Sequence, residues 1–195
     1  MSKGQETKTA ILDEALGIAS RVGFNALTIG QLAESTGMSK SGLFAHFKSK
    51  EALQLETLER GRERFTDLVI RPALAAPRGI ARVRALTDSW LVWETEALQG
   101  GCIFVTGSIE FDDQPGAMRD ALVRNQQDWV EFIETVARTA VSEGDFREDL
   151  DVGQFAFALQ GLIYAFHHTA RLLSDPKAPA RVKTGLDQLV ESARA

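Results

Sequence analysis

The segment that most constrains the fold of this chain is residues 28–53, which read TIGQLAESTGMSKSGLFAHFKSKEAL. Thr28 followed three residues later by Gln31 is typical of a capping box and predicts a helix start. Gly37 can adopt the left-handed conformation that ends a helix and opens a turn. Ser39 is a favourable N-cap for a second short helix directly after that turn. Two short helices joined by so tight a turn predict a helix-turn-helix, whose second helix can enter a DNA major groove.

Amphipathic helices are predicted on both sides of this segment. Before it, residues 7–22 carry an apolar stripe at helical spacing, formed by Ile11, Ala15, Ile18 and Val22. Gly23 ends that helix, so Phe24 and Leu27 are free to fold back on to the core. After it, Ser49 is positioned to cap a further helix. Helices this short bury too little apolar surface to be stable alone, so they need support from the rest of the chain.

The rest of the chain also reads as helical. A long helix over residues 51–69 is expected to close before Pro72. Pro77 and Pro115 are placed as first-turn prolines of two further helices. Residues 102–111 have the composition of a strand, but their helical surroundings favour a helix.

The end of the chain completes an all-α prediction. Asp151 is placed to cap a strongly apolar helix that reaches about residue 173, and a last helix extends to about residue 193. The fold class predicted is therefore all-α, with an N-terminal three-helix helix-turn-helix head and a larger C-terminal helical body. The domain boundaries predicted are residues 1–52 for the head and residues 53–195 for the body.

Residues 6–55 resemble the TetR family of bacterial transcription regulators, whose head ends in the motif S-x-x-x-L-Y-x-H-F-x-x-K-x-x-L. The positions that match this motif are Ser39, Leu43, His46, Phe47, Lys50 and Leu53. The usual tyrosine is replaced by Phe44, so the phosphate contact of its hydroxyl is lost. The resemblance implies a DNA-binding head and a body that forms a homodimer and binds a small effector.

The resemblance also implies which side chains contact DNA. They are Thr28 at the start of the second helix, Ser39, Lys40 and Ser41 at the start of the third, His46 near the end of the third, and Lys50 at the start of the fourth. Lys50 would lie in the first turn of its helix, where free N–H groups and the helix dipole favour a phosphate. Lys40 is long enough to donate to guanine or to a phosphate. A solvated Lys40 and a His46 that only packs against its neighbours remain the alternatives.

The charge distribution favours a small basic docking face. The chain has 22 Lys and Arg against 27 Asp and Glu, a formal net charge of −5. The first 60 residues hold seven charges of each sign, so the acidic excess lies entirely in the later part of the chain. Residues 35–50 contain three lysines, one histidine and no acid. Binding to DNA is therefore expected to depend strongly on salt and to require a dimer.

Composition argues against several other classes of protein. The sequence has no run of about 18 apolar residues and no signal peptide. Its single cysteine fits a reducing cytosol, so we expect a cytoplasmic protein. The three histidines and one cysteine show no metal-ligand spacing, so neither a metal nor a cofactor is expected. The dense carboxylate group Glu110, Asp112 and Asp113 has no accompanying histidine, so catalysis is not expected.

Two apolar surfaces are predicted in the body. Residues 152–173 are apolar almost all round, so this helix must be covered on several sides. The resemblance implies that it forms a homodimer interface together with the last helix, which matches a palindromic operator.

The second surface is a candidate effector pocket. Its members are aromatic side chains with one histidine: Trp90, Trp93, Phe104, Phe111, Trp129, Phe132, Tyr164 and His167. Aromatic walls with a few polar groups are typical of small-molecule pockets. They are also typical of an ordinary hydrophobic core, and that alternative stays open for each residue.

The function predicted is that of a sequence-specific DNA-binding transcription regulator. We expect a repressor that leaves its palindromic operator when a small apolar or aromatic effector shifts the spacing of its two heads. Activation is the less common mode in the family that the head resembles. The alternative function is a dimeric DNA-binding or adaptor protein with no small-molecule effector.

Overall fold

The computed structural model describes residues 3–195, and these residues form helices joined by short turns. Ten α-helices are present in this range: α1 (Lys3–Val22), α2 (Ile29–Thr36), α3 (Lys40–His46), α4 (Lys50–Phe65), α5 (Arg71–Ala75), α6 (Ile80–Val92), α7 (Ile103–Phe111), α8 (Ala117–Ser142), α9 (Val152–His167) and α10 (Ala178–Ser192). Three wider, π-type turns extend α4, α6 and α9: Thr66–Ile70, Trp93–Ala97 and His168–Leu172. The predicted all-α class is confirmed.

Local side-chain caps define the helix-turn-helix, as the sequence predicts. The Thr28 hydroxyl accepts the N–H of Gln31 at 3.2 Å and starts α2. Gly37 ends α2 in the left-handed conformation, with φ at 68°. The Ser39 hydroxyl accepts the N–H of Gly42 at 3.1 Å and starts α3. Each cap satisfies a backbone donor that the first turn of a helix leaves unpaired.

The chain divides into two compact units. The first comprises residues up to 64 together with residues 97–125, and the second comprises residues 65–96 together with residues 126–195. The first unit therefore contains α1 to α4, α7 and the start of α8. The second contains α5, α6, the rest of α8, α9 and α10. The helix-turn-helix thus shares its compact unit with a helix that is much later in the sequence.

The apolar pattern of the sequence correctly selects most of the core of the first unit. Its buried side chains include Ile11, Ala15, Ile18, Phe24, Leu27, Leu32, Leu43, Phe47 and Leu53. The prediction for Val22 is wrong, because this side chain is 48% exposed. Since α1 ends at Val22 and Gly23 turns the chain with φ at 83°, Phe24 takes the next place in the core.

An ion pair between α1 and α4 supports this core. Arg60 donates from Nε to Asp13 Oδ1 at 2.8 Å and from Nη2 to Asp13 Oδ2 at 3.1 Å. These hydrogen bonds to Asp13 raise the pKa of the Arg60 guanidinium above its usual value. Paired donors from a planar guanidinium also fix the geometry of the pair, so they align the two helices.

The loop before α7 packs directly on the backbone of α1. The N–H of Gly100 donates to the Ser20 hydroxyl at 3.2 Å. A Cβ atom added at Gly100 would lie 1.7 Å from the Ser20 carbonyl oxygen. Because the atom it would meet belongs to the backbone, rotation of a side chain cannot relieve the clash, and only glycine fits.

Pro72 agrees with the prediction, whereas Pro77 and Pro115 do not. The helix α4 and its wide turn end at Ile70, before Pro72, which lies in the first turn of α5. The wide turn Thr66–Ile70 comes immediately before, so the α-type bonding is already interrupted where proline lacks its N–H. Pro77 and Pro115 precede α6 and α8 and are not in their first turns. The start of α6 is displaced because Gly79, with φ at 88°, lies between Pro77 and the helix.

The second unit is organised around α9 and α10. Asp151 caps α9 as predicted, since its Oδ1 accepts the N–H of Gln154 at 2.9 Å. The two helices bury their apolar faces, which comprise Phe155, Leu159, Ile163, Phe166, Val182, Leu186 and Val190. Asp145 caps α6 from a distant loop, its Oδ2 accepting the N–H of Ile80 at 2.7 Å.

Some functional features are absent from residues 3–195. None of the helices in this range is both long enough and apolar enough to cross a membrane. Across the same residues, His, Cys, Asp and Glu side chains form no group of three that could hold a metal ion. The single cysteine, Cys102, is buried immediately before α7.

We predict that Gly100→Ala destabilises the protein by about 3 kcal/mol or more, because overpacking against backbone forces the loop away from α1. Urea unfolding followed by circular dichroism measures the change. Gly17→Ala is the matched control, because a Cβ there would meet only Arg21 Nη1 at 3.7 Å, an ordinary contact. Since alanine favours helices more than glycine does, the control should gain up to about 1 kcal/mol. Equal stability of the two variants would contradict the proposed packing.

Candidate nucleic-acid interface and effector site

The predicted DNA-contacting residues lie at the surface of the first unit. Thr28, Ser39, Lys40, Ser41 and Lys50 are all exposed. They lie at the N-terminal ends of α2, α3 and α4, where unpaired N–H groups and helix dipoles give the surface a positive potential. Such a surface is suited to phosphate groups.

The side chains of Thr28 and Lys40 both approach Gly30, in the first turn of α2. Measured from the point where a Cβ of Gly30 would lie, Thr28 Oγ1 is 3.7 Å away and Lys40 Nζ is 3.9 Å away. The hydroxyls of Ser39 and Ser41 are 3.1 Å apart at the start of α3. Four of the six predicted residues thus lie at the N-terminal ends of α2 and α3, and Lys40 reaches the first turn of α2.

The other end of α3 is less polar. His46 is half-buried, and its ring lies beside that of Phe47, with 6.2 Å between the centroids. Phe44 is 53% exposed, and its ring lacks the hydroxyl of the tyrosine that the family usually has at this position. This part of the surface therefore offers apolar contact more than hydrogen bonding.

The turn between α1 and α2 is clamped by three side chains from elsewhere in the first unit. Glu110 of α7 accepts the N–H of Phe24 at 2.7 Å and that of Asn25 at 3.3 Å. Gln54 of α4 donates to the Phe24 carbonyl at 2.7 Å, and the Lys50 ammonium donates to the Asn25 carbonyl. The clamp fixes where α2 begins, and it engages the ammonium group predicted to contact a phosphate.

An aromatic cluster forms in the second unit. The ring of Phe65 meets Trp93 edge-on at 5.2 Å and Trp129 edge-on at 5.1 Å. Trp129 in turn stacks on Phe132, with 6.4 Å between their centroids. Three of the predicted pocket residues are thus linked, and Phe65, which the sequence analysis did not select, joins them.

A second set of contacts links α6 and its wide turn to the end of α9. The rings of Trp90 and Phe166 meet edge-on at 5.8 Å. One position beyond Phe166, His167 Nδ1 lies 2.7 Å from Oε1 of Glu94. Glu94 itself is buried, with its side chain 1% exposed.

The remaining predicted pocket residues are placed differently. Phe104 and Phe111 belong to the first unit, where Phe111 is buried. Tyr164 lies on the exposed side of α9. Sequence reasoning missed Glu94, although Trp90 and Glu94 are four residues apart, the spacing that puts two side chains on the same face of a helix.

Both parts of the chain match models of known protein families. The model described as "Bacterial regulatory proteins, tetR family" matches residues 11–57. The model described as "Tetracyclin repressor-like, C-terminal domain" matches residues 79–186, more than half of the chain. The two matches cover the helix-turn-helix and most of the helices that follow it.

Individual proteins and structures agree with these matches. The HTH-type transcriptional regulator SrpR of Pseudomonas putida is 26% identical over 168 residues, which are 84% of this chain and 76% of SrpR. The crystal structure of a TetR transcriptional regulator from Chloroflexus aurantiacus superposes with a TM-score of 0.86 at 23% identity, covering 98% of this chain and 96% of the other. AibR, in complex with isovaleryl coenzyme A and operator DNA, superposes with a TM-score of 0.73 at 20% identity, covering 96% and 97%. At these identities the two structures show the fold alone.

We predict that Glu110→Gln lowers the free energy of unfolding by about 1.5–3 kcal/mol, because an amide has one acceptor oxygen and no charge for the two N–H groups of the clamp. Asp113→Asn, at an exposed position shortly after α7, is the matched control and should change stability by about 0.5 kcal/mol or less. Chemical denaturation of both variants makes the comparison. A Glu110→Gln protein as stable as the control would mean that the clamp contributes nothing to stability.

Proposed function

The chain belongs to the TetR family of DNA-binding transcription regulators, and we propose that it is a dimeric repressor released from a palindromic operator by a small effector. Family membership also makes it a regulator and not an enzyme. The carboxylate of Glu110, the first of the clustered acids near α7, accepts two backbone N–H groups.

The observation that carries the DNA-binding mode is the exposure of Thr28, Ser39, Lys40 and Ser41 at the N-terminal ends of α2 and α3. In a helix-turn-helix, the N-terminal residues of the second helix reach base edges while the preceding helix contacts the backbone. Lys40 and Ser41 would then read bases or phosphates in the major groove, and Thr28 would donate to a phosphate. The Lys50 ammonium has three N–H donors, so it can donate to a phosphate either in place of the Asn25 carbonyl or in addition to it.

The exposed face of α9 supports dimerisation. Phe157 and Tyr164 lie seven residues apart on this face, and Phe157 is 70% exposed. Leu172 and Leu173, just after the helix, are also exposed. A stripe of large apolar side chains is costly in water and is typical of a surface that another chain covers. We assign this stripe, together with α10, to a two-fold interface that places two heads on two half-sites.

The aromatic cluster of the second unit supports the proposal that the protein binds a small effector. Rings that meet edge-on around a few polar groups are suited to hold a small molecule with an apolar body. AibR, a protein of the same fold, is described with both an acyl coenzyme A and operator DNA. An effector that binds better to the conformation with wrongly spaced heads would shift the population away from DNA.

We predict that Lys40→Ala weakens operator binding by about 1–3 kcal/mol and lowers the slope of log K against log salt by about 1 per head. The probe is DNA upstream of the gene, or a site obtained by selection from random sequence, and fluorescence polarisation at several salt concentrations measures the affinity. Arg124→Ala removes one exposed positive charge from α8 and serves as the control, with little change expected. If selection at low salt yields no bound sequence, the DNA-binding mode proposed here is wrong.

We predict that Phe157→Glu converts the dimer into a folded monomer, because two charges would be buried opposite each other at the two-fold axis. Sedimentation velocity gives the oligomeric state and circular dichroism the fold. Leu74→Glu is the matched control, since Leu74 is 50% exposed on α5 and should leave the dimer intact. A Phe157→Glu protein that still sediments as a dimer would exclude this face of α9 as the interface. The monomer should also lose most of its operator affinity.

A further inference from the structure

One buried carboxylate oxygen in the second unit has no hydrogen-bond donor. Oε1 of Glu94 is 2.7 Å from Nδ1 of His167, but Oε2 has no hydrogen-bond partner within residues 3–195. The Glu94 side chain is 1% exposed, so it is largely shielded from bulk water. Leaving a buried carboxylate oxygen unpaired costs several times what a hydrogen bond normally contributes. Glu94 Oε2 would therefore be stabilised by a hydrogen-bond donor from a ligand, because the described residues supply none.

The backbone around the pair is irregular on both sides. Glu94 is the second residue of the wide turn Trp93–Ala97, and His167 is the last residue before the wide turn His168–Leu172. Wide turns inside helices are frequent at functional sites, because they re-aim side chains that a regular helix would direct elsewhere. Here they follow α6 and α9, the two helices that carry the pair.

Aromatic residues lie close in sequence to both members of the pair. Trp90, four residues before Glu94, meets Phe166, the residue before His167. Trp93, directly before Glu94, meets Phe65. The faces of aromatic rings carry partial negative charge and attract cations, tryptophan most strongly. Rings and carboxylate together therefore favour a positively charged group on an apolar body.

We propose that Glu94 determines the chemical class of the effector, and that this effector is an aromatic or alkyl amine whose protonated nitrogen donates an N–H to Glu94 Oε2. The proposal rests on the effector function proposed above and narrows it. A purely apolar ligand would leave Oε2 unpaired, and an anion would be repelled by it. A quaternary ammonium would supply charge but no N–H. His167 acts as a positioning residue, because its contact with Oε1 holds the carboxylate in one orientation.

The amine nitrogen and the rings divide the recognition between them. The hydrogen bond to a carboxylate is charge-assisted and short, so it fixes the position of the nitrogen. The apolar part of the ligand then lies among the rings, which supply area and little directionality. This division predicts that an amine binds with much higher affinity than a neutral molecule of the same shape.

The test compares phenylalkylamines, from benzylamine to 4-phenylbutylamine, with the phenylalkyl alcohols of the same carbon skeletons. Isothermal titration calorimetry on the full-length wild-type protein measures each dissociation constant, and thermal unfolding gives an independent ranking. We expect at least one amine to bind about tenfold or more tightly than its alcohol. This comparison needs no variant. Equal binding of every amine and its alcohol, or no amine binding at millimolar concentration, would overturn the proposal.

Glu94→Gln then identifies the residue responsible. The variant should lose the preference for the amine, about tenfold or more, while its affinity for the alcohol stays the same. Glu96→Gln is the matched control, because Glu96 lies two residues away in the same wide turn and is exposed. Circular dichroism verifies that both variants are folded. If Glu94→Gln still binds the amine more tightly than the alcohol, a group other than Glu94 binds the ammonium and the proposal is wrong.

A parallel assay separates this proposal from the effector function on which it rests. Release of operator DNA by the amines and by the alcohols is measured by fluorescence polarisation with the same protein. Release by alcohols and amines at similar concentrations would keep the effector function and overturn the role of Glu94. Release by the amine at about tenfold lower concentration than by its alcohol supports both. Amine binding that depends on Glu94 but leaves the DNA bound would keep the site and overturn its regulatory use.

Discussion

The placement of the DNA-reading helices depends on two backbone N–H groups and the carboxylate that accepts them. Glu110 holds Phe24 and Asn25 at the turn where α1 gives way to α2. Gly23, just before this turn, has φ at 83°, and a Cβ there would lie 2.1 Å from Glu110 Oε1. The carboxylate can therefore approach only because the residue is glycine. Since a head of this size buries little apolar surface, a polar clamp from α7 adds support that α1 to α4 cannot provide themselves.

The clamp joins the helix-turn-helix to a helix from much later in the sequence. The first unit contains the helix-turn-helix and also residues 97–125, so α7 shares a compact unit with the DNA-reading helices. The helix α8 begins in that unit and ends in the second, which contains the proposed effector site.

At the proposed effector site, tertiary structure changes an interpretation made from sequence. Selecting aromatic residues at helical spacing finds Trp90, Trp93 and Trp129, which do lie in contacting clusters. The same selection passes over Glu94, because an acidic residue in a helix is normally solvated. It is buried here with one oxygen on His167, so an apolar site acquires a specific polar group. The expectation of an apolar effector then becomes the more specific proposal of an aromatic or alkyl amine.

Features that depend on neighbours three or four residues away could be predicted from the sequence. The caps at Thr28, Ser39 and Asp151 and the left-handed Gly37 are such features, and the structure contains all of them. The fold class and the family follow from the same local pattern. Tertiary structure alone decided the contacts between Glu110 and Phe24, 86 residues apart, and between His167 and Glu94, 73 residues apart. It also decided that Val22 is exposed and that Pro77 and Pro115 lie before the first turns of α6 and α8. The physical reason is that caps and turns are stabilised within one helical turn, whereas burial and pairing depend on which distant segment packs against the residue.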